Sequence, residues 1–241
     1  MLFLVAVAAV LLTKTNMRFL TVIFLALAFT CSIGNKLDDA NSYLDEVLID
    51  YLPSALEAES LIAYEMPNFS HNHQERTSDG AVLNTKIFYW AGSLTGLQNV
   101  LRGKCEEPTW SSGNVSVVCR IFFADLQTEY KGRFQSIKGL DNPFGVHVRQ
   151  FDFNLLIVAR QVEVELEVTS SPRLQIPSLK QLNLVSRGDV SITFHTEASL
   201  SEDVTEGVEH RYNEFFDDLF SGPFKTALET AVASVRYPKS Q

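Results

Sequence analysis

Residues 162–168 alternate without interruption between aliphatic and acidic side chains: the even positions carry valine or leucine, and the odd positions carry only glutamate. Because successive side chains of a strand point to opposite faces of a sheet, this pattern predicts a strand with one face buried and one in water. The apolar face of such a strand must be covered by another part of the chain. The sequence therefore predicts an antiparallel sheet that packs on one side.

The same period of two recurs along the middle of the chain, between turn signals rich in Pro, Gly, Asn and Ser. The stretches concerned are residues 115–123, 151–157, 182–184 and 190–194. Residues 81–200 are therefore predicted to form the sheet. The preceding stretch, residues 66–79, is polar and is predicted to be a loop.

Residues 37–63 place apolar side chains at helical spacing, which predicts a long amphipathic helix. Its predicted buried stripe is Ala40, Leu44, Val47, Leu48, Tyr51, Ala55, Ala58 and Ile62. Pro53 falls on the opposite face, where the helix can bend without losing that stripe. Residues 202–235 predict a second helical region, which kinks or breaks at the Ser-Gly-Pro of 221–223 because the apolar stripes on either side are out of phase.

A sheet with one buried face and two long amphipathic helices together predict an α+β fold. In this fold a curved antiparallel β-sheet wraps around the long N- and C-terminal helices. Such a roll can leave an apolar interior space that side chains do not fill.

Two apolar runs occupy the first 30 residues, separated by a polar stretch that ends before Met17. Both are shorter than the roughly 18 residues that span a bilayer, and the second has the basic start, apolar middle and small-residue end of a secretory signal. We predict a signal segment over residues 1–34, with Met17 as a candidate for the true start, and a single domain over residues 35–241. A signal anchor is the alternative. The predicted location is extracellular.

Secretion favours a disulfide between Cys105 and Cys119, because these two cysteines remain when Cys31 is removed with the signal segment. If the cleavage leaves Cys31 in the mature chain, a third thiol could pair between molecules. Secretion also turns the two Asn-x-Ser sequons, at Asn68 and Asn114, into predicted glycosylation sites on surface loops.

The composition and the missing motifs exclude several classes of function. Lys and Arg number 20 against 29 Asp and Glu, a formal net charge of −9, which argues against nucleic acid and anionic headgroups as partners. The chain carries no serine-hydrolase elbow, zinc-protease motif, phosphate-binding loop or dinucleotide fingerprint. His71 and His73 could share a metal, but two imidazoles are too few and a solvated loop is favoured. The sequence thus predicts no enzymatic activity, no cofactor and no metal.

Residues 90–105 and 115–132 resemble the secreted arthropod proteins of the mite group 7 allergen family. The matching motifs are Gly-Ser-Leu-Thr-Gly-Leu at 92–97, an Arg-Gly turn, and an alternating strand that ends near Tyr-Lys-Gly at 130–132. The order signal, helix, sheet, helix extends the resemblance over most of the mature chain.

That family in turn resembles half of a bactericidal/permeability-increasing-type protein, a single super-roll of the tubular lipid-binding (TULIP) superfamily. Insect juvenile-hormone-binding and takeout-like carriers share this architecture. The resemblance implies non-covalent binding of a lipid or another apolar ligand. The cysteine positions depart from those of the hormone carriers, so a hormone ligand is not implied.

The predicted ligand is a lipid or another apolar small molecule held between helix and sheet. Its predicted lining is drawn from both helical regions and the facing strands: Leu44, Leu48, Tyr51, Ile121, Phe123, Phe151, Phe153, Leu155, Tyr212, Phe215, Phe216, Leu219 and Phe220. The same side chains would otherwise fill a core, which leaves a secreted surface-interaction or immune-modulating protein as the alternative. Transient contact with a membrane or lipoprotein stays open as a further partner, and the sequence defines no oligomeric state.

Overall fold

The computed structural model describes residues 36–76, 82–138, 147–171, 173, 176–196 and 202–237. The predicted signal segment, including Met17 and Cys31, lies outside these residues. Within the described part of the chain, helical segments at both ends flank one large antiparallel sheet of nine strands. The structure is therefore α+β, as the sequence predicts.

Residues 36–58 form one continuous helical segment, α1, in which Val47–Tyr51 is a π-turn and Leu52–Ala58 returns to α-helix. Near the other end of the chain, Glu202–Ser221 (α2) and Pro223–Ser234 (α3) are separated by Gly222. The predicted break at 221–223 is confirmed. Proline fits the first turn of α3 because the N–H that it lacks would have no partner inside the helix there.

The strands are β1 Ala63–Met66, β2 Phe69–Arg76, β3 Val82–Thr95, β4 Val100–Cys105, β5 Thr109–Ser111, β6 Asn114–Lys138, β7 His147–Ser170, β8 Pro177–Ser186 and β9 Asp189–His195. Strands β6 and β7 are 25 and 24 residues long and pair along almost their whole length. On one side β3 pairs with β6 and carries β1 and β2. On the other side β8 and β9 pair with β7, while β4 and β5 pair with the start of β6.

Along each of the two long strands, the buried residues switch once between odd and even positions, and the two switches lie opposite each other in the strand pair. Phe123 pairs with Val162 and Leu126 pairs with Ala159, and all four are buried. Gln161, between the two pairs, has a φ of 58° and interrupts the alternation. This irregularity divides the sheet into two halves. The disulfide half contains β4, β5, β8 and residues 114–123 and 162–170, and the aromatic half contains β1, β2, β3, β9 and residues 126–138 and 147–159.

Helices α1 and α3 pack on the buried side of the disulfide half. The Tyr43 hydroxyl of α1 donates a hydrogen bond to the Val232 carbonyl of α3 at 3.1 Å. The Phe123 ring meets the rings of Phe220 and Phe224 at 5.6 and 5.5 Å. The inward residues of β6 in this half, at alternate positions from 115 to 123, are at most 2% exposed. This half is a densely packed hydrophobic core.

Cys105 and Cys119 face each other across β4 and β6, with their Cα atoms 4.0 Å apart, and form a disulfide. The predicted bridge between neighbouring strands is confirmed. It lies within the core, since both cysteines are 2% exposed.

The first helix ends at Ala58, five residues earlier than predicted. Ser60 adopts a left-handed φ of 59°, and the Leu61 N–H donates to the Leu56 carbonyl at 2.7 Å. This is the usual closing pattern of a helix, with serine at the position that glycine most often takes. Ile62 therefore lies beyond the helix and is 40% exposed.

The π-turn in α1 shifts the buried stripe by one residue. The Leu52 N–H donates to the Val47 carbonyl five residues back, so the turn accommodates one extra residue. Leu52 is fully buried, whereas Tyr51 is 39% exposed. The π-turn falls directly before Pro53, whose missing N–H and ring interrupt regular α-helix pairing. The prediction that Tyr51 lies on the buried stripe is wrong, and its predicted role in lining a ligand site stays untested.

The described part of the polar stretch, residues 66–76, is not a loop, because it contains strand β2, and residues 77–79 lie outside the described residues. Phe69, His71 and His73 are half-buried and alternate with exposed polar residues. His73 lies 3.7 Å from Asp203 of α2, so the two histidines are not in a solvated loop. A strand at the edge of a sheet can carry polar side chains on its open face, which is why composition alone suggested a loop.

Candidate functional site

The inward side of the aromatic half carries phenylalanines that the helices leave partly uncovered. We call this set the aromatic face; it consists of Phe69, Phe134, Phe151, Phe153 and Phe194 of the sheet, and Phe215 of α2 packs against it. All except Phe153 are only half-buried. On β6 and β7 of the disulfide half, by contrast, the inward residues are closed off from solvent, and half-buried apolar side chains occur there on the edge strands β4 and β8. On the two long strands, the inward rings that remain accessible, Phe134 and Phe151, therefore lie at one end of the sheet.

The rings of the aromatic face make a continuous series from strand to strand. Phe134 and Phe151 stack with their centroids 4.7 Å apart, and Phe153 meets Phe194 edge-on at 5.7 Å. Phe69 meets Phe215 of α2 edge-on at 5.8 Å. Stacked and edge-on contacts are the arrangements that aromatic quadrupoles prefer. These contacts hold the rings in place while part of most rings remains exposed to solvent.

Gly132 of β6 leaves room for the ring of its cross-strand neighbour, Phe153 of β7. A Cβ atom at position 132 would lie 2.2 Å from the Phe153 ring. Any larger residue would therefore push the ring away from the strand. The bare backbone at Gly132 allows Phe153 to lie against β6 and to contact Tyr89 and Phe194.

Several buried polar atoms on this side of the molecule lack a hydrogen-bond partner. They are Tyr89 Oη, Thr128 Oγ1, Ser136 Oγ, Tyr212 Oη and Asn213 Oδ1. All of them lie in the aromatic half or on α2, and the described residues of the disulfide half contribute none. A buried polar group without a partner costs about 1–3 kcal/mol. These atoms therefore mark positions where a water or a ligand oxygen would be stabilised.

Burial raises the pKa of the Tyr89, Tyr130 and Tyr212 phenols above the ordinary value for tyrosine. The neighbouring Thr128 hydroxyl offsets part of this effect at Tyr212. Tyr130 donates a hydrogen bond to the Pro67 carbonyl at 3.2 Å. Because the surroundings disfavour an anion, this part of the interior suits a neutral polar group better than an ionised one.

The structure separates the predicted lining residues into two groups. Those in the closed core on the disulfide side are Leu44, Leu48, Ile121, Phe123, Leu219 and Phe220. Those on or beside the aromatic face are Phe151, Phe153, Leu155, Tyr212, Phe215 and Phe216. Tyr51 belongs to neither group.

Sequence reasoning missed other members of this region: Phe69, Tyr89, Tyr130, Phe134 and Phe194. Phe69 was hidden in the polar stretch that proved to be β2. Tyr130 and Phe134 follow the parity change in β6, so the alternation up to residue 123 did not extend to them. The repeated aromatic residues at even positions of β6 are the signal that could have identified them.

Three cavities lined by described residues lie on the outer face of the sheet, away from the helices. One of about 700 Å³ is lined in part by Phe88, Trp90 and Arg133. Two others measure about 350 and 270 Å³. No group of three or more His, Cys, Asp or Glu side chains in the described ranges could hold a metal.

None of the described helices combines the length and the apolar character that crossing a bilayer requires. The two sequons are both within the described chain. Asn68 precedes β2, and Asn114 is the first residue of β6; both are exposed.

The sequence matches no protein-family model, and no curated protein matches it. One similar solved structure is a lipopolysaccharide binding protein, at 12% identity and a TM-score of 0.36. The match covers 78% of this chain and 37% of that one, so this chain spans little more than a third of its length. A second is Takeout 1 of Epiphyas postvittana, at 12% identity and a TM-score of 0.22, with 74% of this chain and 85% of that one covered.

With both TM-scores below 0.5, neither match adds an argument to the sequence resemblance to the TULIP superfamily. The relationship to the mite group 7 allergens in particular stays a prediction. At these scores and identities the likeness assigns no ligand, so the ligand has to be argued from this chain's own residues.

Proposed function

We propose that this protein is secreted and binds a lipid or another apolar molecule, without catalysis, between α2 and the aromatic face. The observation that carries the proposal is the contrast between the two halves of the sheet. Inward residues of β6 and β7 in the disulfide half are almost fully buried, whereas Phe134 and Phe151 on the same two strands, like most rings of the aromatic face, are half-buried. Apolar surface left open at one place on a folded domain is typical of a binding site.

The energy of such binding comes from apolar contact. Removing about 300 Å² of apolar surface from water is worth roughly 7 kcal/mol before the cost of immobilising the ligand. An acyl chain laid along the aromatic face, with the curved sheet and α2 around it, would supply that area. No charged contact is needed, which is compatible with the acidic net charge of the chain.

The unpaired hydroxyls add a preference for one kind of apolar ligand. Tyr212 and Thr128 each carry an O–H that can donate to an oxygen atom of a ligand. A ligand with a neutral ester, carbonyl or alcohol oxygen would gain hydrogen bonds there that a pure hydrocarbon cannot make.

Replacing Phe151 and Phe194 together with serine is expected to weaken the binding of a fluorescent sixteen-carbon acyl probe about 30-fold. Each ring contributes about 1 kcal/mol if roughly 40 Å² of it covers the ligand. The matched control is Phe122→Ser, which removes a half-buried ring from the outer face of the disulfide half. Equal affinities in the double variant and the control, with both folded, would place the ligand elsewhere.

Tyr212→Phe is expected to weaken the binding of a long-chain methyl ester 2–10-fold and to leave the binding of the matching alkane unchanged. The variant should lower the free energy of unfolding by less than about 1 kcal/mol, because the lost hydroxyl makes no hydrogen bond of normal geometry and interacts only weakly with the neighbouring Thr128 hydroxyl. Tyr43→Phe is the control: it should lower stability by about 1 kcal/mol, since that hydroxyl bonds to the Val232 carbonyl, and leave both ligands unaffected. Equal loss of ester and alkane binding in Tyr212→Phe would contradict the hydrogen bond.

A further inference from the structure

The outer-face cavity of about 700 Å³ lies on the opposite side of the sheet from the aromatic face. Asn68, Ser70, Phe88, Trp90, Arg133 and Gln135 line it. Phe88 and Trp90 flank the inward-facing Tyr89, so their side chains point outward. The outward side chains of the groove are therefore different from those of the ligand site proposed above, although Phe69 and Tyr89 also border the groove.

The groove combines aromatic surface with hydrogen-bonding groups. The Arg133 guanidinium lies 5.7 Å from the centre of the Trp90 ring, and Asp152 holds that guanidinium at 2.6 Å. The Lys86 ammonium lies 4.8 Å from the centre of the Phe88 ring. A pyranose ring has an apolar C–H face and a rim of hydroxyls, so half-buried aromatic rings bordered by amides and a guanidinium match it chemically.

The sequon Asn68-Phe69-Ser70 lies within the wall of this groove. Phe69 points inward to stack on Tyr89 with a centroid distance of 4.3 Å, which leaves Asn68 and Ser70 in the groove lining. The Ala91 N–H donates to Asn68 Oδ1 at 3.2 Å, at a point where Ala91 has a φ of 53° and interrupts β3. This bond orients the carboxamide through its oxygen and does not use Nδ2, the atom that carries an N-linked glycan.

We propose that the groove holds the first sugars of an N-glycan attached to Asn68. The occupant is thus a modification of this chain itself, packed on Phe88 and Trp90 and bonded to Arg133 and Gln135. The proposal depends on passage through the secretory pathway but not on lipid binding. The second sequon provides a comparison, since Asn114 pairs with Ser111 at the end of the β5–β6 hairpin, where the nearby Trp110 is 53% exposed.

The test compares Ser70→Ala with Ser116→Ala in protein from insect cells, because each change removes one sequon and keeps its asparagine. A Trp110→Phe background leaves Trp90 as the reporter, since the chain has only two tryptophans. Glycopeptide mass spectrometry should show sugar on Asn68. Ser70→Ala should lower Tm by about 2–4 °C and shift Trp90 emission to longer wavelength, and Ser116→Ala should do neither.

The same variants made in bacteria, without glycan, provide the control for effects of the serine itself. There Ser70→Ala should match the parent in Tm and emission. Three results would overturn the proposal: an unmodified Asn68 in insect-cell protein, a modified Asn68 whose loss changes neither Tm nor emission, or an equal change in the bacterial protein.

Discussion

Leu52→Ala is expected to lower the free energy of unfolding by about 2–5 kcal/mol, whereas Tyr51→Ala should cost less than about 1 kcal/mol. Leu52 is fully buried under the disulfide half, and removing its side chain leaves a cavity. Tyr51 is 39% exposed, and its neighbours lose little when it is truncated. Urea unfolding followed by circular dichroism measures both values.

This pair of variants tests the register of α1 directly. A straight α-helix would place Tyr51 on the buried stripe and Leu52 off it, so the order of the two costs would be reversed. Leu56→Ala is a useful second test, because Leu56 lies one turn after Leu52 on the same face, is fully buried and should cost about as much as Leu52→Ala.

Replacing Cys105 and Cys119 together with alanine is expected to lower the free energy of unfolding by about 3 kcal/mol. The bridge closes a loop of 14 residues, and the chain-entropy model gives about this value for a loop of that size. For a chain of this length the loss corresponds to a fall in Tm of roughly 6–12 °C. Thermal unfolding of the wild type with and without reductant provides the comparison.

Reductant should move the wild type to the Tm of the double variant and should leave the variant unchanged. Thiol titration of the denatured, unreduced protein adds a separate check on the pairing. Finding Cys105 and Cys119 both reactive under those conditions would contradict the disulfide.

The strands and the helix break were predictable because each follows a local rule. Alternation from Val162 to Val168 can be satisfied only by a strand with one buried face, and it lies within β7. Pro223 after Gly222 cannot continue a regular helix, and α2 ends there. The disulfide followed from the cysteine count and the predicted compartment.

The features that sequence reasoning missed depend on contacts between distant parts of the chain. Ser60 ends α1 without the glycine that usually marks such an end. The π-turn in α1 puts Leu52 instead of Tyr51 on the buried stripe, and this shift depends on how the helix packs against the sheet. Strand β2 is polar because it lies at an edge and is held by β3, which a local pattern cannot show.

The candidate site was predictable as a set of apolar residues but not as a place. Phe123 and Phe151 have the same character and the same period in the sequence. In the structure Phe123 is closed in by α3, whereas Phe151 lies at the open end of the sheet. Which rings stay accessible depends on where the helices pack, and no single-sequence pattern specifies that.

The central claim is that the aromatic face holds an apolar ligand, and native mass spectrometry of protein secreted from insect cells tests it most directly. After enzymatic removal of N-glycans, the wild type and Phe122→Ser should carry a non-covalent adduct of lipid mass that organic solvent extracts. The Phe151→Ser/Phe194→Ser variant, folded by circular dichroism, should lack it. A folded wild type that shows only its own mass, and takes up no acyl probe when offered one, would contradict the claim and favour the surface-interaction alternative.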